Sequence, residues 1–172
     1  GIAEVADCLP VSSGDIVELG DLAAKLKFDL TVVGPELPLS LGIQDEFSKR
    51  GLPIFGPSRL AAQIESSKIF AKEFFRRHGI ATSQAIVCGS RPDAEAAIRQ
   101  LGFPCVLKAD GLAGGKGVLV VESRDEADRA IGLFFQERVF GAGGDRILVE
   151  EFLDGTEVSF LSICDGQTAV PL

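Results

Sequence analysis

The sequence contains no methionine, no tryptophan and no tyrosine, and its single histidine is His78. One histidine and four scattered cysteines, with no C-x-x-C pair among them, leave no zinc site that spacing would reveal. Cys88, Cys105 and Cys164 sit in apolar runs and are expected as buried, reduced thiols. No apolar stretch approaches the roughly 18 residues of a membrane helix, and the first residues do not follow the basic-then-apolar pattern of a signal peptide. Positive charge is in short supply: 17 Lys and Arg against 25 Asp and Glu give a net charge of −8. That balance argues against a broad face for nucleic acid or for an anionic membrane, and leaves room for a local basic pocket that holds a small anion. Small-molecule partners, no nucleic acid, no membrane and a cytoplasmic location are the matching expectations. Position 1 is Gly rather than Met, and the sequence stops in the apolar run Val170-Pro171-Leu172, so it reads as an internal piece.

What is present is ordinary globular material. Hydrophobic residues make up 46% and charged residues 24% of 172, enough to bury about 70% of the unfolded surface without staples. In the first half, residues 28–33 form a β-branched run ending at Gly34-Pro35. A helical pattern over 39–50 stops at Gly51, and Pro53-Ile54-Phe55 ends at Gly56-Pro57. Strand, helix and strand with short Gly/Pro links predict a parallel βαβ unit, whose ligands sit beyond the strand ends. Residues 58–77 read as one helix, with His78 and Gly79 as its stop. The second half predicts α+β structure with antiparallel pairs. Its strands fall near 83–88, 104–108, 118–122, 146–153 and 157–164. Helices fall at 93–101 and from the capping box at Ser123 toward Arg138, and hairpin turns at Asp154-Gly155 and Asp165-Gly166.

Chemistry concentrates in Asp110-Gly111-Leu112-Ala113-Gly114-Gly115-Lys116-Gly117. Glycines let backbone N–H groups come close to phosphates. A Walker A loop would need Gly at 110 and Ser or Thr at 117, where the chain has Asp110 and Gly117. The dinucleotide pattern starting at Gly115 would need Gly at Val120 and a helix afterwards. A strand follows instead, so the segment reads as a hairpin flap, which serves phosphate binding or a plain surface turn equally. Lys108 ends a strand on the same face as Val106 and points to a fixed anion. Lys68, in the helical stretch, suits either solvent or a ligand. In an extended Glu150-Glu151-Phe152-Leu153, the C=O of Glu151 and the N–H of Leu153 project to one edge, the acceptor–donor pair that adenine requires. Glu157 offers a carboxylate to two ribose hydroxyls; an exposed acidic hairpin is the other reading.

Taken together, Lys108-Ala109-Asp110-Gly111-Leu112-Ala113-Gly114-Gly115-Lys116-Gly117-Val118 resembles the flap of the phosphoribosylamine–glycine ligase family, within the ATP-grasp superfamily. Val33-Gly34-Pro35-Glu36 with Pro38-Leu39, Phe55-Gly56-Pro57-Ser58 through Glu65-Ser66-Ser67-Lys68, and Glu150 to Gly155 with Glu157, Ser159 and Phe160 fit the same family in order. The resemblance implies an α/β chain: a truncated N-terminal parallel βαβ domain over 1–65, then an incomplete ATP-grasp α+β fold over 66–172. Within the latter, 82–153 would be the lid with its flap and 154–172 the start of the larger part. It also implies roles. Lys68 and Lys108 would act on the ATP phosphates under a flap of Gly111, Gly114, Gly115, Lys116 and Gly117. Glu150, Glu151, Phe152, Leu153 and Glu157 would hold the nucleoside, and Gly34, Pro35 and Glu36 the phosphoribosylamine. The implied reaction joins glycine to phosphoribosylamine with ATP and Mg²⁺ (or Mn²⁺), in de novo purine biosynthesis. Its metal ligands are expected outside this chain, which alone is then expected to be inactive. Another ATP-grasp carboxylate–amine ligase, or a nucleotide-binding module without catalysis, are the alternatives.

Overall fold

The computed structural model describes residues 1–112 and 117–172. A 3₁₀ turn, Ile2–Glu4, precedes α1 (Ile16–Leu26), whose N-cap Asp15 accepts from the Glu18 N–H. Then come β1 (Thr31–Val32), α2 (Glu36–Leu41), α3 (Ile43–Lys49) and β2 (Ile54–Phe55). β1 and β2 pair in parallel, Thr31 beside Ile54 and Val32 beside Phe55. The crossover between them is two helices, where the sequence pattern predicts one from 39 to 50. Gly42 takes φ +95° between them, closing α2 through its N–H to the Pro38 and Leu39 carbonyls. Periodicity does not register such a kink, because apolar spacing continues across it. α2 also starts earlier than expected, since Pro38 falls in its first turn, where a missing N–H costs nothing. Ala23, Ile43 and Phe47 form the small core of this half.

The stretch 58–77 is likewise two helices, α4 (Arg59–Ser66) and α5 (Lys68–His78). Ser67 breaks the run by adopting extended backbone and accepting from the Phe70 N–H at 3.1 Å, a cap that competes with helix continuation. His78 and Gly79 end α5 as expected, with Gly79 left-handed at φ +66°.

The second half follows as β3 (Ala85–Cys88), α6 (Arg91–Leu101), β4 (Cys105–Ala109), β5 (Val118–Val121), α7 (Arg124–Phe135), a 3₁₀ turn (Gly141–Gly144) and β6 (Ile147–Glu151). The four strands form an antiparallel sheet in the order β3-β6-β4-β5. Alternation divides its two faces. Cys105, Leu107, Ala109, Ile147 and Val149 meet Ala97, Ile98, Ile131 and Phe134 of α6 and α7 in the main core. Val106, Lys108, Leu148 and Glu150 fall on the other face, toward α5.

A hairpin of β7 (Ser162–Cys164) and β8 (Ala169–Pro171) closes the chain. The strand expected over 157–164 is therefore shortened to Ser162–Cys164. Residues 156–160 pair with no strand among the described residues, and Val158 and Phe160 stay more than 80% exposed. An alternating segment gains strand structure only when a neighbour supplies the ladder.

The thiol expectation divides. Cys88 and Cys105 are buried, whereas Cys164 is exposed, in a two-stranded hairpin where β7 pairs only β8 among the described residues. Burial, helped by the nearby Asp93 charge, pushes the Cys88 thiol up to about 11, and burial raises Cys105 as well. Iodoacetamide at pH 8 should therefore label Cys8 and Cys164 in the native chain, and all four cysteines only after unfolding. Peptide mass mapping reads this directly. Native labelling of Cys88 would mean that the α6–sheet interface opens.

Candidate functional site

Three lysines from two elements converge on one cleft of about 370 Å³, and with them comes a buried carboxylate. α5 supplies Lys68 and Lys72, one turn apart on the same face. β4 supplies Lys108 and β6 supplies Glu150. Glu65 and Leu153 complete the charged and hinge-side lining. Three cations stand against two carboxylates in a chain whose net charge is −8. The local basic pocket that composition left open is therefore present.

Lys108 and Glu150 are diagonal neighbours across the β4–β6 ladder, where Val106 faces Glu150 and Lys108 faces Leu148. Lys108 Nζ lies 3.0 Å from Glu150 Oε2. Glu150 is only 2% exposed, and its Oε2 also accepts from Ser83 Oγ (2.7 Å) and meets Lys72 Nζ at 3.1 Å. Burial by itself raises the Glu150 carboxyl. The Ser83 hydroxyl, the Lys108 hydrogen bond and the two lysine charges outweigh it, and the net displacement is downward. Glu150 is thus ionised and committed to the lysines, with its carboxylate turned inward.

The base of the glycine hairpin is tied to the start of α5. The Ala109 N–H donates to the Gly117 carbonyl at 2.8 Å, and β4 and β5 pair from Lys108–Val118 outward. The strand–loop–strand reading of this segment holds. Asp110 Oδ1 accepts from Ser67 Oγ (3.0 Å) and from the Ile69 N–H (3.2 Å), so it caps α5 from 43 residues away. Lys68 Nζ donates to the Gly111 carbonyl at 3.1 Å. On the other side, the Asp110 N–H donates to the Gly143 carbonyl at 2.9 Å and is shared with the Arg146 carbonyl at 3.3 Å. A Cβ on Gly143 would stand 2.5 Å from the Asp110 carbonyl oxygen, so the close approach requires glycine there. Of the expected flap residues, Gly111 accepts from Lys68 and Gly117 closes the hairpin base, and neither lines the cleft itself. Gly114, Gly115 and Lys116 lie outside the described residues.

The strand end behaves in a specific way. Glu151 donates its N–H to the Gln84 carbonyl at 3.0 Å, and the Gln84 N–H turns to Glu151 Oε1 at 2.7 Å. In a regular ladder that N–H would go to the Glu151 carbonyl. The Glu151 carbonyl is left on this edge, and the Leu153 N–H makes no hydrogen bond among the described residues. Phe152 is exposed and outside the cleft lining. Glu157 is exposed and not on a strand, and it makes no hydrogen bond or ion pair among the described residues. Its expected place on an adjoining strand is corrected: the 152–161 segment has no ladder to hold it. Gly34, Pro35 and Glu36 lie together after β1, with Pro35 as the N-cap of α2, at the strand end that the βαβ reading indicates. They take no part in the lysine cleft.

Two further residues emerge that sequence reading did not single out. Lys72 had a signal, its i,i+4 spacing from Lys68. Asp110 was quoted only as part of the loop, and its capping of α5 has no local signature. Among the described residues, no three of His, Cys, Asp and Glu gather in a way that could hold a metal ion, and no helix is long and apolar enough to cross a membrane.

Comparison with known proteins resolves the family. The model of the phosphoribosylglycinamide synthetase ATP-grasp (A) domain matches residues 66–172, and that of the N domain matches residues 1–65. The chain belongs to the phosphoribosylglycinamide synthetase family. It is 49% identical over its whole length to the phosphoribosylamine–glycine ligase of Brucella melitensis, covering 40% of that protein. It is 42% identical to the enzyme of the same name from Caldanaerobacter subterraneus, covering 41% of it. The chain thus spans about 40% of the length of these relatives. A solved phosphoribosylamine–glycine ligase from Thermotoga maritima superposes with TM-score 0.72 and 31% identity, over 89% of this chain and 37% of that one. The fold expectation holds with it: a parallel βαβ pair, then part of an ATP-grasp α+β fold.

Proposed function

We propose that the cleft binds ATP, and that the chain is part of an ATP-dependent carbon–nitrogen ligase joining glycine to 5-phosphoribosylamine. The observation that carries this reading is the convergence of Lys68 and Lys108 beside the base of the glycine hairpin and the strand end 151–153. In this reading the Lys68 ammonium leaves the Gly111 carbonyl for a phosphate, and Lys108 approaches the phosphates from its place on β4. The glycine hairpin covers them with backbone N–H groups. The Glu151 carbonyl and the Leu153 N–H take the adenine edge, and Glu157 swings to the ribose. Gly34, Pro35 and Glu36 serve the phosphoribosylamine, with the N-terminal unit at 1–65 and the ATP-grasp unit from 66 onward.

A carboxylate is a poor electrophile until phosphate becomes its leaving group. ATP would phosphorylate the glycine carboxylate, and the amine of phosphoribosylamine would then displace phosphate, leaving ADP and glycinamide ribonucleotide. Lysines placed along the phosphates stabilise charge as it moves to the leaving ADP. A divalent cation, Mg²⁺ or Mn²⁺, would neutralise the phosphates, and we assign its ligands to none of these 172 residues.

Isothermal titration with ATP tests the reading. Lys108→Ala should weaken binding by about 2 kcal/mol, roughly thirtyfold, the loss of one charged hydrogen-bond partner. Lys72 still neutralises Glu150 in that variant, so the far-UV circular dichroism should be unchanged. Wild-type affinity in Lys108→Ala removes Lys108 from the nucleotide site.

A further inference from the structure

The three lysines of the cleft are not equivalent. Lys72 Nζ donates to Thr82 Oγ1 (2.7 Å) and to Ser83 Oγ (2.6 Å), and it also meets the Ser83 carbonyl at 3.0 Å and Glu150 Oε2 at 3.1 Å. An ammonium carries three protons, and these partners use all of them. Among the described residues Lys108 meets one partner, Glu150, and Lys68 one, the Gly111 carbonyl. Lys72 is thus the most fully engaged of the three, held by four contacts where each of the others shows one.

The partners of Lys72 are also the groups that place the rest of the cleft. Glu150 Oε2 is the atom to which Lys108 is anchored. Ser83 donates to that same oxygen, and it precedes Gln84, which exchanges hydrogen bonds with Glu151 at the strand end. Were Lys72 removed, Glu150 would keep one cation in place of two. The 82–84 segment would lose its attachment to α5, and Lys108 would be drawn deeper toward an under-neutralised carboxylate.

We propose that Lys72 is a positioning residue: it holds the Glu150 carboxylate and residues 82–83, and through them sets the Lys108 ammonium and the strand end at 151–153 for the nucleotide. The inference rests on the ATP reading above and deepens it.

A double-mutant cycle tests it, with ATP affinity measured by calorimetry on the chain and folding verified by circular dichroism. Lys72→Met should weaken ATP binding about tenfold in the wild-type background, but less than about twofold when Glu150→Gln is already present, because the two residues act as one unit. Lys72→Arg, which keeps the charge, should recover most of the lost affinity. Should Lys72→Met fail to fold, Lys72→Gln replaces it in the same cycle. An equal loss in both backgrounds means that Lys72 reaches the ligand itself. Unchanged affinity with a lowered melting temperature means that it supports the fold alone. Either result overturns the proposal and leaves the ATP reading standing. A wild-type chain that binds no ATP overturns both.

Discussion

Glu150→Ala is expected to cost about 3 kcal/mol of folding stability at neutral pH, the low end of the range for removing one partner of a buried ion pair. The carboxylate is 2% exposed and answers two ammonium groups. Its removal strands Lys72 and Lys108 beside a void, along with the Ser83 hydroxyl that it accepted from. The low end applies because the Lys108 side chain is 29% exposed and can recover some hydration through the cleft. The effect should also depend on pH, with a definite sign. The groups facing the carboxyl are Lys72 from α5, Lys108 from β4 and the Ser83 hydroxyl, with Lys68 and Glu65 farther along the lining. Together they hold its folded-state pKa below the ordinary value. The stabilisation is therefore complete above the unfolded carboxylate's pKa of about 4.3, and is lost as pH falls through the lower folded value. Urea denaturation followed by far-UV circular dichroism, run from pH 7 down to pH 3, should show the gap between wild type and Glu150→Ala narrowing in acid. A gap that stays constant would mean that the ionised carboxylate contributes nothing.

The same residues show what a sequence discloses and what it withholds. The strand–loop–strand frame of the flap was legible because Val106 to Lys108 and Val118 to Val121 carry their own β pattern on both sides of the glycines. Lys108 could be placed beside an anion because a lysine alternating with buried valine has few other uses. That the nearest anion is Glu150 was not legible, since the pairing depends on the β4–β6 register between positions 42 apart in sequence. The run places Glu150 beside the strand end, and only the fold shows that its side chain meets Ser83, Lys72 and Lys108. Breaks in helices were also hidden. Gly42 and Ser67 interrupt apolar patterns that continue in phase on both sides, and Ser67 ends α4 with help from Asp110, which no local window contains. Glu157 departs from its expected strand for the opposite reason. Its segment has strand composition, but composition cannot supply a neighbouring strand.

Phe134→Ala is expected to be the most damaging single truncation, with a loss of about 4 kcal/mol from the transfer and cavity terms of a fully buried aromatic ring. Phe134 is 1% exposed, deep in the cluster where α7 meets the sheet. Its ring lies 4.6 Å from that of Phe140, and the Phe134 side chain also borders Gly144. These contacts give the variant a second, local consequence. Phe140 precedes and Gly144 ends the 3₁₀ turn Gly141–Gly144, whose Gly143 carbonyl accepts the Asp110 N–H. Asp110 in turn caps α5 and carries the first residue of the glycine hairpin. A void under Phe140 should therefore loosen the turn, leave the Asp110 amide with only its longer bond to the Arg146 carbonyl, and slacken the junction between the hairpin and Lys68. The chain has no tryptophan or tyrosine, so denaturation is best followed by circular dichroism, and the local effect by hydrogen exchange at the Asp110 amide. Phe134→Leu keeps most of the volume and should cost only about 1 kcal/mol, with exchange at Asp110 close to wild type. If Phe134→Ala destabilises the chain but Asp110 exchange accelerates no more than amides of the β1–β2 pair, the turn is held independently of Phe134. The hairpin base would then owe its position to the Asp110 and Ala109 backbone hydrogen bonds and to the capping of α5 by Asp110.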